Sequence, residues 1–434
     1  MAQTSPEGTK SQFYEEPEEG GSAKAGDQIG NSKWTVMVFM SADTVRGDVS
    51  LVEAAKADIA EMGAVGSGGP LNVFVQVHGL EAEPRRGRIE AGMTWQSIQS
   101  DATTIVPLEQ RETKGGRALV DFMRTSLAAA SHNPHNPSHY SMLVLWGHAY
   151  DFGIARVSTA SGKVDALDYA ELSSLLEGMQ AEVQRELGLA EPKKLDVVAF
   201  DACDAATVEL AYELAPFVRY LVGSQVGVPI PGWPYDRVLE RLRVPYGRLM
   251  APPEFGLWVV RRFIEAYAPL RSVSLSMLNL ELTPQLVERA KFLADALDTA
   301  IAEDESMLDV TAELCARSLT AVDKPYIDVA DFCLNLARES GDPAVTFAAR
   351  MLGDFLIAPP FPVVGQSDRL AAQSFVVAHG RNAGDTAKLN GVSLYAPHVA
   401  LDAEFRKVRL VYDTLRFARD TSWSRLVHSL VAVQ

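Results

Sequence analysis

The chain has 434 residues, with 40 Lys and Arg against 56 Asp and Glu, which gives a formal net charge of −16. This charge disfavours nucleic-acid binding, since Lys and Arg contacts to phosphate supply much of that affinity. The sequence lacks a run of about 18 apolar residues that could span a membrane, and its start lacks the pattern of a signal peptide. Three scattered cysteines argue against a disulfide framework. We therefore expect a monomeric cytoplasmic protein with neither a nucleic-acid nor a membrane partner.

Residues 1–32 are rich in Gly, Glu, Ser and Pro and show no apolar period, which predicts a disordered acidic tail. Beyond the tail, short apolar segments alternate with helical patterns. The predicted strands are 34–40, 71–77, 142–146, 195–200 and 220–224. The predicted helices are 51–62, 118–130, 167–187 and 205–215. Apolar strands separated by helices are typical of an α/β fold with a mostly parallel sheet covered on both faces.

The last third of the chain has a different pattern. Its predicted helices are 282–302, 344–357 and 402–419, and two apolar segments, 374–378 and 392–395, are expected to return as strands. We divide the chain into the tail 1–32, a core 33–270 and a helical C-terminal subdomain 271–434. Spacing alone leaves open whether this last region is a separate domain or extends the same sheet.

Two residues with complementary chemistry follow neighbouring predicted strands. His148 comes directly after strand 142–146 and Cys203 after strand 195–200, and functional groups gather at the carboxyl ends of the strands in such sheets. A thiol between a strand end and the first turn of a helix feels the positive end of that helix, and an imidazole can take its proton. Gly147 permits an unusual backbone turn that presents the His148 ring.

Each member of this pair also has an ordinary structural interpretation. A lone cysteine is more often a small buried packing residue, as we expect for Cys315 and Cys333. The flanking acids Asp201 and Asp204 oppose thiolate formation. His132, His135 and His139 lie in turn-forming sequence without the usual ligand company, and we expect no metal site.

The chain resembles the clostripain-like cysteine peptidases, which are relatives of caspases, gingipains and legumains. The resemblance is carried by Trp146-Gly-His-Ala149 and Phe200-Asp-Ala-Cys203, an arrangement similar to the Ala-Cys nucleophile and upstream His of caspases. Further similar segments are Phe39–Asp43, Ala57–Met62, Val208–Leu214, Val222–Gln225, Pro231–Tyr235 and Gly391–Pro397.

The resemblance implies a caspase-like α/β/α sandwich with a helix-rich C-terminal extension, and a Cys-His endopeptidase that cleaves a protein or peptide substrate. It makes Cys203 the nucleophile and His148 the general base. The amides of Ala149 and Cys203 would form the oxyanion hole. The substrate-binding residues would be Asp201, Ser224, Gln225, Val226 and Trp233.

The sequence also departs from the family pattern. Basic-specific relatives carry acidic residues after the position of Ser224, whereas residues 225–232 here contain none. A pocket without a carboxylate cannot offset the desolvation of an incoming Arg or Lys, so we expect the family's strict Arg preference to be weakened. Relatives often cut themselves between the His and Cys strands, and the polar segment 156–163 offers Arg156 and Lys163 as candidate sites.

The sequence says less about a cofactor and about the biological role of the protein. Relatives can depend on calcium, but no acidic loop here has the regular oxygen-ligand spacing of a calcium site, so we expect no required cofactor. Caspase relatives can act in bacterial defence, although no residue here indicates that role. The alternatives to an active peptidase are a catalytically silent caspase-like docking module, and a thiol-dependent transferase or ligase that uses the same dyad.

Overall fold

The computed structural model describes residues 33–42, 49–79, 84–98, 115–130, 139–150, 152–158, 164–187, 190–243, 249–268, 272–318, 320–321, 325–356, 374–382, 384–397 and 410–432. The predicted tail 1–32 lies outside these residues. The strands are β1 (Lys33–Ser41), β2 (Leu71–His78), β3 (Arg85–Arg88), β4 (His139–Trp146), β5 (Ala149–Tyr150), β6 (Gly153–Ser158), β7 (Val164–Asp168), β8 (Leu195–Asp201), β9 (Val218–Gly223), β10 (Ser274–Asn279), β11 (Tyr326–Asp328), β12 (Val376–Arg381) and β13 (Ser393–Tyr395).

Helices connect most of these strands. They are α1 (Val52–Val65), α2 (Gly115–Ala129), α3 (Tyr169–Leu187), α4 (Val208–Leu214), α5 (Tyr235–Arg243), α6 (Pro252–Tyr267), α7 (Thr283–Glu303), α8 (Ser306–Arg317), α9 (Val329–Glu339), α10 (Pro343–Leu356), α11 (Arg416–Asp420) and α12 (Trp423–Ala432). None of the described helices is long and apolar enough to cross a membrane.

An eight-stranded sheet organises the fold, with strand order β12-β10-β9-β8-β4-β1-β2-β3. Its five central strands, β2, β1, β4, β8 and β9, are mutually parallel. Antiparallel strands flank them, with β3 at one edge and β10 and β12 at the other. The predicted mostly parallel α/β fold is confirmed.

The sheet separates two apolar cores, because successive side chains of a strand point to opposite faces. In β1, Trp34, Val36, Val38 and Met40 pack on one face with residues of α1, α5 and α6. The alternate residues of β1 contribute to the core on the other face, together with α2, α3, α4 and the helices from α7 onward. The result is an α/β/α sandwich in which the C-terminal helices thicken one layer.

The region after residue 271 is joined to this sheet. β10 pairs with β9 and β12 pairs with β10, while β11 and β13 form a separate two-stranded sheet. The prediction of one continuous helix over 402–419 is wrong in its described part. The chain turns at Thr414 and Leu415, whose amides donate to carbonyls three residues earlier, and α11 starts only at Arg416. Residues 402–409 lie outside the described residues.

A second small sheet, β5-β6-β7, follows directly after β4. β6 and β7 pair as far as Ser158 and Val164. Arg156, expected in a connecting loop, lies within β6. Lys163 lies outside the described residues.

Candidate active site

The carboxyl ends of β4 and β8 bring positions 148 and 203 to the same level of the sheet. The two strands are parallel neighbours in which Trp146 pairs with Asp201, and the Gly147 amide extends the pairing by donating to the Asp201 carbonyl at 3.3 Å. His148 and Cys203 each follow two residues after this last pair. Because adjacent strands lie about 4.8 Å apart, the imidazole and the thiol start from neighbouring backbone positions.

Gly147 makes the turn that takes the chain from β4 to His148. Its φ is 147°, a conformation that L-residues rarely adopt. A Cβ added at this position would lie 2.9 Å from the carbonyl oxygen of Ser41 in the adjacent β1. The turn expected from the sequence is therefore confirmed, and both the backbone angle and the close approach require glycine.

We expect Gly147→Ala to lower kcat/KM for peptide hydrolysis by about ten- to a hundredfold, because small displacements of a catalytic group are costly. The matched control is Gly178→Ala in α3, where an added Cβ meets no atom within 4 Å; this variant should retain the wild-type rate. Steady-state hydrolysis of one peptide by the three proteins makes the comparison. A Gly147→Ala rate within twofold of wild type would show that this turn does not control the imidazole.

A backbone carbonyl that precedes α1 fixes the orientation of His148. The Nε2 atom of His148 lies 2.9 Å from the carbonyl oxygen of Val49. A carbonyl can only accept, so Nε2 carries the hydrogen in this contact. This carbonyl has no sequence signature, since any residue could supply it.

The Cys203 thiol is half-buried and lies against the loop that follows β9. The Val228 amide donates to Sγ at 3.3 Å, and a Cβ added at Gly227 would lie 3.9 Å from the sulfur. Cys315 and Cys333 are buried in the core, as expected, and burial raises the pKa of both thiols. The predicted helix start at residue 205 is three residues too early, because α4 begins only at Val208 with Thr207 as its N-cap.

Asp201, two residues before Cys203, is buried and takes part in a hydrogen-bond network. Its Oδ2 accepts from the amide of Trp233 and from the hydroxyl of Tyr235, each at 3.0 Å. Its Oδ1 is buried without a hydrogen-bond partner in the described part of the chain. Burial raises the pKa of Asp201 to about 7.

A second buried carboxyl, Asp58 of α1, lies near Asp201. Its Oδ2 accepts from the indole Nε1 of Trp146 at 2.7 Å. Burial, reinforced by the charge of Asp201, raises the pKa of Asp58 to about 9. A Cβ added at Gly232, where φ is 65°, would lie 2.8 Å from the Asp201 carboxyl and 3.2 Å from that of Asp58. The two acids therefore flank one glycine turn.

The remaining predicted substrate-binding residues lie in or beside this loop. Ser224 is buried, and its hydroxyl accepts from the Val226 amide at 3.2 Å. Val226 is half-buried. Trp233 is buried, and its indole nitrogen has no hydrogen-bond partner within the described ranges. Ala149 begins β5 and pairs with Ile154; its role in an oxyanion hole stays a prediction.

Gln225 connects the loop to the C-terminal region. Its amide nitrogen donates to Asp328 at 2.9 Å and to Ser393 at 3.2 Å, and its amide oxygen accepts from the backbone of Gly391 at 2.6 Å. Asp328 also accepts from the amide of Asn390. The side chain of Gln225 is thus fully engaged within the protein.

Sequence reasoning missed Asp58, which it includes only within the similar segment Ala57–Met62. A signal was present, since Asp58 lies on the apolar face of α1 beside Ala55, Ile59 and Met62, all buried. Within the described residues, no group of three or more His, Cys, Asp or Glu side chains is placed to hold a metal ion.

Comparisons with known proteins show the family of this chain. A model of the clostripain family of peptidases matches residues 38–350, which is most of the chain. The chain belongs to the clostripain family. The family assignment makes it a cysteine endopeptidase, and it confirms the resemblance drawn from the two strand-end motifs. A comparison with curated proteins finds no match.

Solved structures share the fold of this clostripain-family chain. One is an inactive zymogen of a C11 protease from Parabacteroides distasonis, with 16% identity and a TM-score of 0.57 over 91% of this chain and 99% of that one. Another is a secreted C11 cysteine protease from Bacteroides thetaiotaomicron in complex with an irreversible peptide inhibitor. It has 15% identity and a TM-score of 0.53 over 90% of this chain and 99% of that one. The fold of these C11 proteases is therefore shared over about nine tenths of this chain.

Proposed function

We propose that this endopeptidase cleaves peptide bonds through Cys203 and His148. The observation that supports this most directly is the β4–β8 register, which puts the two residues equally far beyond paired positions. The contact of Nε2 with the Val49 carbonyl adds a fixed orientation of the imidazole. Orientation of a base by a third group is a recurrent feature of activated nucleophiles.

The chemistry proceeds in two steps. The His148 imidazole takes the thiol proton as Sγ attacks the scissile carbonyl, and the imidazolium then protonates the leaving amine as the acyl-enzyme forms. Water, deprotonated by the same imidazole, hydrolyses the thioester and regenerates the thiol. The backbone amides of Cys203 and Ala149 are our candidates for stabilising the oxyanion, a contribution typically worth about 3 kcal/mol per donor.

A peptide carrying a thiol-reactive ketone tests this function against the docking module. We expect such a peptide to modify Cys203 of the wild-type protein stoichiometrically, as located by mass spectrometry of digested protein. His148→Ala should lose most of the labelling. Labelling that is absent in the wild type would favour the silent module, and equal labelling of both proteins would remove His148 from the mechanism.

We propose further that this enzyme does not require Arg before the scissile bond and also accepts neutral or apolar side chains there. Val49, beside the imidazole, exposes 57% of its surface. Ile230, in the loop that follows β9, exposes 50%. Asp201 lies two residues before the nucleophile, but it already accepts two hydrogen bonds and its pKa is raised to about 7 by burial. A carboxyl that burial shifts toward its neutral form is a weak partner for a guanidinium. In the same proposal Gln225 braces the loop and does not contact substrate.

We expect peptides that differ only in Leu, Ala, Lys or Arg before the cut to be hydrolysed with kcat/KM values within about tenfold of one another, since apolar pockets discriminate by about 1–3 kcal/mol. Asp201→Asn should leave the ratio of Arg to Leu cleavage nearly unchanged. Cleavage products identified by mass spectrometry make the measurement. A preference for Arg above a hundredfold that disappears in Asp201→Asn would instead assign the unpartnered Oδ1 to the substrate.

We propose that any self-cleavage occurs only in the segment that connects β6 to β7. Arg156 lies within β6, at a register shift between two parts of the strand that pair with β7, whereas a peptidase binds its substrate as an exposed, extended segment. Lys163 is thus the better candidate of the two.

A further inference from the structure

The loop that follows β9 runs beside the segment that carries Cys203, and three hydrogen bonds join them in regular order. The Ala206 amide donates to the Ser224 carbonyl at 2.9 Å, and the Asp204 amide donates to the Val226 carbonyl at 3.3 Å. The third contact has the opposite direction: the Val228 amide donates to the sulfur of Cys203 at 3.3 Å. The participating loop residues alternate, as in a β-ladder, and the thiol replaces a carbonyl as the last acceptor.

We propose that the backbone amide of Val228 is a catalytic hydrogen-bond donor that stabilises the thiolate of Cys203. This inference rests on the proposed role of Cys203 as the nucleophile. A hydrogen bond to the ionised form of a group favours that form, and bonds to charged acceptors are about twice as strong as neutral ones. The donor thus adds to the effect of His148 on the same sulfur.

Such a donor answers an electrostatic need of this site. Asp204, the acid directly after the nucleophile, disfavours a second negative charge there. The positive end of a helix cannot compensate, because α4 begins at Val208 and has only seven residues, and its Leu210 amide already donates to Thr207. A neutral amide dipole aimed at the sulfur meets this need without adding a charged group to the cleft.

The amide is held in place before substrate arrives. Val228 precedes Pro229, which restricts its backbone to extended conformations. On one side of Val228, the Val226 amide donates to the Ser224 hydroxyl at 3.2 Å. On the other side, the Gly232 amide donates to the Pro229 carbonyl at 2.8 Å. Asp204, with φ of 51°, turns the chain after the nucleophile so that its own amide reaches Val226. Donors fixed in advance act without reorganisation during the reaction.

The same contact could instead belong to a lid that covers the thiol until substrate displaces it. The two ideas predict opposite effects of removing the amide hydrogen. If the amide stabilises the thiolate, its loss makes Cys203 less reactive near neutral pH. If the loop is a lid held by this contact, its loss makes Cys203 more reactive at every pH.

The experiment replaces the Val228 amide by an ester, using the α-hydroxy analogue of valine, which keeps the side chain and puts an oxygen in place of the N–H. The rate of Cys203 alkylation by iodoacetamide is measured against pH, with the site of modification identified by mass. We expect the midpoint of the profile to rise by about one pH unit and the rate below the midpoint to fall about tenfold. Val228→Ala, which retains the amide, should keep the wild-type midpoint.

An unchanged midpoint in the ester protein, or faster alkylation at all pH values, would overturn the proposal. A measurement on the unmodified backbone guards against an ester protein that does not fold. In protein labelled with ¹⁵N-valine, the Val228 amide proton should shift downfield through the same midpoint, and this shift should be absent in Cys203→Ala. A Val228 resonance insensitive to that titration also refutes the donor. Neither readout requires peptide hydrolysis, so a protein that alkylates as expected but cleaves no peptide would fail only as a peptidase.

Discussion

Cys203→Ala should abolish peptide hydrolysis, with kcat/KM falling by about 10⁴-fold or more, and His148→Ala should have an effect of similar size. Members of a nucleophile–base pair act as a unit, so the double variant should be hardly slower than either single one. Steady-state hydrolysis of a peptide substrate makes the measurement, with enzyme concentrations high enough to detect residual turnover.

The chain supplies a matched control for the loss of the thiol. Cys315→Ala removes the same atoms from a buried site in α8, far along the chain from the strand ends. We expect it to retain kcat/KM within about twofold at a temperature where it is folded. If Cys203→Ala stayed active, or if the two single losses multiplied in the double variant, the dyad would be refuted.

Asp58→Asn should make the protein more stable, and increasingly so as the pH rises from 5 to 8. Burial raises the pKa of Asp58 to about 9 in the folded protein, against about 3.9 in an unfolded chain. The folded state therefore keeps a proton that the unfolded state releases above about pH 4. The contribution of this group to stability is fully present below that pH and is lost as the pH rises toward 9, at about 1.4 kcal/mol per pH unit at most.

Asparagine cannot ionise, and its side-chain oxygen can still accept from Trp146, so the substitution removes this penalty. We expect a relative gain on the order of 2–4 kcal/mol in the free energy of unfolding between pH 5 and pH 8. Urea unfolding at several pH values gives the comparison. The exposed Asp354 of α10, changed to Asn, controls for the altered net charge. Parallel stability curves for wild type and Asp58→Asn would show that Asp58 ionises freely in the folded protein.

The sequence predicts the central strands well because buried parallel strands are continuous apolar runs. Strands β1, β2, β4, β8 and β9 all carry that signature, and each was expected within a few residues. The short antiparallel strands lack it. β3 is Arg85-Arg-Gly-Arg88, an edge strand whose charges lie outside the apolar cores. Its presence depends on pairing with β2, which no local pattern reveals.

The candidate site shows the same difference between features that have a local sequence pattern and features that have none. His148, Cys203 and Gly147 were accessible to sequence reasoning because side-chain chemistry and glycine have local signatures. The carbonyl of Val49 and the amide of Val228 were not, since every residue except proline carries both groups. The start of α4 was misplaced because Ala205 and Ala206 continue the helical pattern, whereas Thr207 provides the cap.

The buried contacts of Gln225 have a consequence for how this fold can be dissected or recombined. Hydrogen bonds from the Gln225 side chain hold the loop beside Cys203 to groups outside the parallel strands, more than a hundred residues later in the chain. A fragment ending near residue 270 would lack β10, which pairs with β9. It would also lack the residues that form hydrogen bonds with Gln225. The C-terminal third therefore cannot be exchanged like an independent domain. A recombined protein must keep the cleft together with the C-terminal residues that hold its loop.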